Sequence, residues 1–176
     1  MTPADILLAN RLADAAGAAI RPFFRSAFAH EAKDDASPVT EADRAAEAAI
    51  RAILDSEYPH DAIIGEEYGE KSGTSGRSWI LDPIDGTVSF MAGRPIFGTL
   101  IALLEDGWPV LGVIDQCISG ERWVGAAGRE TTFNGKPVRT RSCRALSDAV
   151  LASTGPQYFD EHTAEHFMGL AAKTAH

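Results

Sequence analysis

The sequence has little cysteine: two residues in 176, Cys117 and Cys143, with no CxxC spacing between them. Two such thiols supply neither a four-ligand zinc site nor a disulfide framework, so a reduced pair is expected. Long hydrophobic runs are also missing. No stretch approaches the roughly 18 apolar residues needed to span a bilayer. The apolar start of the chain is interrupted by Asp5 and Arg11, with no charged leader before it. Neither a membrane span nor a secretory signal is therefore expected, and the expected location is cytoplasmic. Positive charge is short as well. Sixteen Lys and Arg against 25 Asp and Glu leave a formal net charge of −9. Nucleic-acid binding calls for a basic stripe, so no nucleic-acid partner is expected.

What is present reads as a globular chain with a core: 45% hydrophobic and 23% charged residues. Thr2 and Pro3 open a first helix whose stripe includes Ile6, Leu8, Leu12, Ala16 and Ile20. Pro22 is expected to kink this helix rather than end it, because apolar residues continue to Phe28. A polar connection over 31–39 leads to a second helix starting at Thr40, with Asp43 placed as in a capping box. Strands follow at 62–64, 79–81, 97–104, 110–117 and 122–126, with a hairpin at Asn134-Gly135. A strand at 150–153 and a helix over 160–174 complete the pattern. Helices, then antiparallel strands, then a helix imply a layered α/β sandwich.

Carboxylates cluster where strands end. In Trp79-Ile80-Leu81-Asp82-Pro83-Ile84-Asp85-Gly86-Thr87, two acids lie three apart after an apolar run. Pro83 stiffens the bend and Gly86 permits a backbone barred to other residues, so Asp82 and Asp85 can face one locus. Two carboxylates about 4 Å apart repel by roughly 4 kcal/mol at an effective dielectric near 20. Such a pair shares a proton or takes a cation, and oxygen donors select Mg²⁺ or Mn²⁺ over zinc. Gly65-Glu66-Glu67 follows its own strand in the same way. The plainer readings are an Asp-Pro turn, a solvated pair of glutamates, and a simple helix start at Thr40 and Asp43.

Taken together, Lys33, Val39-Thr40-Glu41-Ala42-Asp43, Gly65-Glu66-Glu67 and Asp82-Pro83-Ile84-Asp85-Gly86-Thr87 resemble the inositol-monophosphatase-like phosphatases in order and spacing. The resemblance implies an α/β (α+β) fold, a layered α-β-α sandwich of the sugar-phosphatase type with a mostly antiparallel sheet. It further implies a metal-binding domain over 1–145 and the start of an incomplete C-terminal domain over 146–176. Two or three Mg²⁺ ions, or Mn²⁺ in their place, would be held by Glu66, Asp82, the Ile84 carbonyl and Asp85. Thr87, paired with Asp43, would orient and help deprotonate a water, with Glu66 beside them in the catalytic set. Gly86, Thr87, Ser89 and Lys33 would face the phosphate of a small substrate.

Gly93-Arg94-Pro95-Ile96-Phe97-Gly98-Thr99-Leu100-Ile101, after Val88-Ser89-Phe90, is similar to the histidinol-phosphate branch, with inositol phosphate or another small phosphoester as the alternative. The family's downstream Trp-Asp-x-Ala-Ala-Gly motif is matched only loosely by Trp123-Val124-Gly125-Ala126-Ala127-Gly128, where Val124 replaces the acid. The true motif is expected beyond His176, which would leave these residues alone with little turnover. Unpaired strand edges make a homodimer an expectation too. Two readings of other classes compete: a metal-binding chain without turnover, and a zinc hydrolase using His162 and His166 of His-Thr-Ala-Glu-His. The second needs a third protein ligand that the sequence does not offer nearby.

Overall fold

The computed structural model describes residues 2–26, 30–32, 38–153 and 158–175, with only the backbone of 30–32 and 38–40. The chain forms two compact units, Met1–Val138 and Arg139–His176.

In the first unit, helix α1 spans Pro3–Ile20 and opens on a capping box. The Thr2 hydroxyl accepts from the Asp5 N–H, and the Asp5 carboxylate accepts from the Thr2 N–H. The helix stops at Ile20, and a 3₁₀ turn, Arg21–Phe23, follows where a kink was expected. Pro22 has no N–H to continue the ladder, and its ring crowds the preceding turn. Phe28 lies outside the described residues. The expected polar connection instead pairs as two short antiparallel strands, β1 (His30–Ala32) and β2 (Pro38–Thr40). Helix α2, Glu41–Glu57, starts directly after β2.

Next come β3 (Ala62–Gly65), β4 (Gly69–Lys71), β5 (Arg77–Asp85), the short helix α3 (Thr87–Met91), β6 (Gly98–Glu105), β7 (Trp108–Gln116), β8 (Glu121–Ala126), β9 (Thr132–Phe133) and β10 (Lys136–Pro137). These eight strands form one sheet in the order β10-β9-β8-β7-β6-β5-β3-β4. Every pairing in it is antiparallel except β3 with β5, which is parallel. The hairpin turns fit their residues: Asp106 and Gly107, and Asn134 and Gly135, all take positive φ, as type I′ turns require.

The core lies between one sheet face and the two long helices. Leu8, Leu12, Ala16 and Ile20 of α1, and Ala42, Ala46, Ile50 and Leu54 of α2, recur every fourth residue and are buried. They meet Trp79, Leu81, Ile101, Leu103, Leu111 and Val113 from alternate positions of β5, β6 and β7. Their strand neighbours Ile80 and Ile114 point the other way and are 38% and 51% exposed.

Polar ties fix this packing. The Arg122 guanidinium on β8 donates to Asp115 (2.7 Å), to Asp14 (2.8 Å) and to Asn10, joining sheet to α1. The indole N–H of Trp79 donates to Asp61 at 3.0 Å inside the core.

The second unit holds a 3₁₀ turn, Leu146–Asp148, and helix α4, Glu161–Ala171. Asp160 caps α4 by accepting from the Thr163 N–H. Residues 150–153 are not a strand: no strand among the described residues pairs with them, and a single segment has no ladder to join. No described helix is long and apolar enough to cross a membrane.

Candidate functional site

The site follows from the parallel β3–β5 pair. Ile64 lies opposite Ile80 and Gly65 opposite Leu81. The next residues, Glu66 and Asp82, therefore leave the pair side by side, and they share a hydrogen bond. The strand does not end at Asp82, as the sequence suggested, but runs on to Asp85 through a bulge. From Asp82 to Asp85 β5 advances three residues while β6 advances two, Leu100 to Gly98. Pro83 sits in that extra length, where its missing N–H breaks no ladder bond. The Thr99 hydroxyl donates to the buried Pro83 carbonyl at 2.8 Å and ties the bulge to β6.

This bend gathers three acids. Asp82 is half-buried, while Glu66 and Asp85 are exposed. Burial first, then the charges of Glu66 and Asp85, push the Asp82 carboxyl from the usual 3.8 up to about 7. Its Oδ1 is buried with no hydrogen-bond partner among the described residues. Crowded carboxylates with an unsatisfied buried oxygen fit a hard divalent cation. Among the described residues, no three acidic, histidine or cysteine side chains stand arranged to hold one ion together. An oxygen-ligated Mg²⁺ does not need three, since it keeps several waters and takes only one or two carboxylates. The Ile84 carbonyl is a further donor. It accepts from the Thr87 hydroxyl at 3.1 Å, and a carbonyl oxygen has a second lone pair.

Gly86 connects the bulge to α3 with φ of +94°. Its carbonyl accepts from the Ser89 N–H (2.8 Å) and the Phe90 N–H (3.1 Å). The amides of Thr87 and Val88, at the start of the helix, have no intrahelical acceptor, as at any helix N-terminus. Ser89 lies one turn on and is partly exposed. Helix α3 contacts β2, which leads straight into α2; Thr87 opens α3 and Asp43 lies in the first turn of α2. Asp43 is buried, at 3% exposure. Lys33 lies outside the described residues.

Sequence reasoning missed Glu47. It occupies the core-facing stripe of α2 with no exposed surface, and its carboxylate accepts from the backbone of the Glu66 loop. An acid set among Ala42, Ala46, Ile50 and Leu54 was the available signal.

Two other places hold no such arrangement. His162 and His166 face each other on α4 with ring centroids 4.2 Å apart, but no third ligand joins them among the described residues. A hollow of about 610 Å³ between α1 and the β7–β8 end contains Arg122 and Asp115, which are already committed to each other.

The pattern of the inositol monophosphatase family matches residues 4–174. The chain is 50% identical over 166 residues to a bifunctional phosphatase, IMPL2, chloroplastic, of Arabidopsis thaliana, covering 93% of this chain and 48% of that protein. It is 39% identical to a histidinol-phosphatase of Chlorobaculum parvum, covering 94% of this chain and 64% of that one. Among solved structures, an inositol monophosphatase from Zymomonas mobilis superposes with a TM-score of 0.84 at 53% identity, covering 97% of this chain and 66% of that one. The chain thus spans about half to two-thirds of the length of these relatives. Matched along nearly all of its length in sequence and in fold, the chain belongs to the inositol monophosphatase family.

Proposed function

We propose that this protein hydrolyses a small phosphomonoester with Mg²⁺, Mn²⁺ being the alternative ion, and that histidinol phosphate is its substrate. Enzymes of the family are metal-dependent phosphatases. The observation that carries the reading is the β3–β5 register, which sets Glu66 abreast of Asp82 with Asp85 one bulge away. Glu66, Asp82, Asp85 and the Ile84 carbonyl would hold the ions. Bound there, Mg²⁺ would lower the pKa of a water and offset charge on the phosphoryl and leaving oxygens.

The chain's own groups do the rest. The Thr87 hydroxyl donates to the Ile84 carbonyl, so its oxygen lone pairs stay available to accept from the attacking water. To pass a proton on, that hydroxyl turns from the Ile84 carbonyl to Asp43, in the first turn of α2, giving the carboxylate its own proton as it takes one from the water. Amides at Gly86 and Thr87 bind the phosphate oxygens together with Ser89, and by the family resemblance Lys33, which lies outside the described residues, adds a positive charge. No side-chain nucleophile is needed, since phosphoryl transfer rests on positioning and charge stabilisation.

Histidinol phosphate is favoured by the Gly93-Arg94-Pro95-Ile96-Phe97 stretch and by the name of the Chlorobaculum relative. A cationic amine also suits an acidic protein. The name of the Zymomonas structure keeps inositol monophosphate as the second reading.

The test pairs binding with turnover. Mn²⁺ binding is read from the free-ion electron paramagnetic resonance signal, and phosphate release is compared for histidinol phosphate and inositol 1-phosphate with Mg²⁺. Asp82→Asn is expected to abolish turnover and weaken Mn²⁺ binding while circular dichroism stays unchanged. A variant that still turns over at the parent rate would remove Asp82 from the site.

A further inference from the structure

We propose that Glu47 is a positioning residue that holds the Glu66 turn against the end of β5 before any cation arrives. The inference rests on the reading that Glu66 and Asp82 share a metal site. Glu47 projects from the core stripe of α2 and has no exposed surface. A buried carboxylate is costly unless its lone pairs are filled and its charge is matched. Both conditions are met by groups of one turn and one helical neighbour. Its Oε2 accepts from the Glu67 N–H at 2.7 Å, and its Oε1 accepts from the Tyr68 N–H at 3.2 Å and from Arg51 Nε at 2.7 Å.

The two amides are those immediately after Glu66. Arg51 donates in turn to the Gly69 carbonyl, the first residue of β4. One ion pair on α2 thus fixes the turn from Glu67 to Gly69. The near side of the turn is shaped for the same carboxylate. A Cβ at Gly65 would lie 1.9 Å from Glu47 Oε1, so glycine is needed there to leave room for that oxygen. The acid's hydrogen bonds point inward to the turn, and with no exposed surface it cannot itself meet a solvated ion. Its effect on the site passes through the backbone on which Glu66 is carried.

A turn fixed in advance spares an incoming ion the cost of ordering it. Supporting groups of this kind change metal affinity by about 10- to 100-fold when removed. The alternative is a plain anchor that joins α2 to β3 and β4 and contributes only stability.

Mn²⁺ binding to the full chain separates the two, read from the free-ion resonance signal for the parent, Glu47→Gln and Asp82→Asn. The expected result for Glu47→Gln is Mn²⁺ binding about 10-fold weaker or worse, measured well below its unfolding temperature. A lower unfolding temperature with parental Mn²⁺ affinity would overturn the proposal and leave the metal site standing. A parent that binds no Mn²⁺, or an Asp82→Asn chain that binds as the parent does, would overturn the site and this proposal together.

A second measurement needs no variant. In the metal-free parent, the Glu67 and Tyr68 amides are expected to exchange with solvent as slowly as the ladder amides of β5. Fast exchange there would show a turn ordered only by the ion and would also overturn the proposal.

Discussion

Gly86 occupies a conformation that few side chains tolerate, with φ of +94° between the bulge and α3. A Cβ there would also press on the Ile96 carbonyl at 3.2 Å and the Phe97 Cα at 3.3 Å. Both are backbone atoms and have little room to yield. Gly86→Ala is therefore expected to lower stability by about 1–3 kcal/mol, measured by urea unfolding, and to cut phosphate release by more than the loss of folded protein accounts for. At this scale the sequence was informative where a residue's chemistry is unusual for its setting. Asp82, Asp85 and Gly86 stood out because two acids and a glycine directly follow Trp79-Ile80-Leu81. Glu47 did not, because a glutamate in a helix reads as solvated until its neighbours are seen. Apart from Arg51 four residues on, its partners are backbone amides 20 and 21 residues on, and amides carry no signature in sequence.

Among the elements, β5 is the one whose details bear most on the site. The Thr99 hydroxyl is the donor that satisfies the buried Pro83 carbonyl across the bulge. Thr99→Val keeps the shape and removes the donor, and an unsatisfied buried carbonyl costs about 1–3 kcal/mol. Thermal unfolding is expected to shift down accordingly, with Mn²⁺ affinity falling as the Asp82–Asp85 spacing loosens; an unchanged unfolding temperature would show the bond to be idle. The hairpins were legible because Asp106-Gly107 and Asn134-Gly135 specify their own turns. The bulge was not, since Pro83 reads as the end of a strand when β6 is unseen. Pro22 shows the converse. The apolar residues beyond it suggested continuity, but a missing N–H and a crowding ring are local facts that later hydrophobicity does not repair. The pairing of β1 with β2 was hidden too, because three-residue strands carry too short a pattern to read.

For the molecule as a whole, a net charge of −9 works against compaction wherever acids crowd. Mg²⁺ is expected to raise the unfolding temperature more than NaCl of equal ionic strength, because site binding adds to screening. At ten times the dissociation constant that addition is about 1.4 kcal/mol, and equal effects of the two salts in a thermal melt would argue against a specific ion. The single parallel pairing of the sheet also decides which changes of length the protein tolerates. Successive side chains on a strand face opposite ways. One residue added within Ala62–Gly65 would thus turn Glu66 to the far side of the sheet from Asp82 and split the acids. The same addition at the Asn134-Gly135 tip would only lengthen a surface turn between β9 and β10. Four residues of β3 therefore act as the ruler of the site, and their number matters as much as their identity.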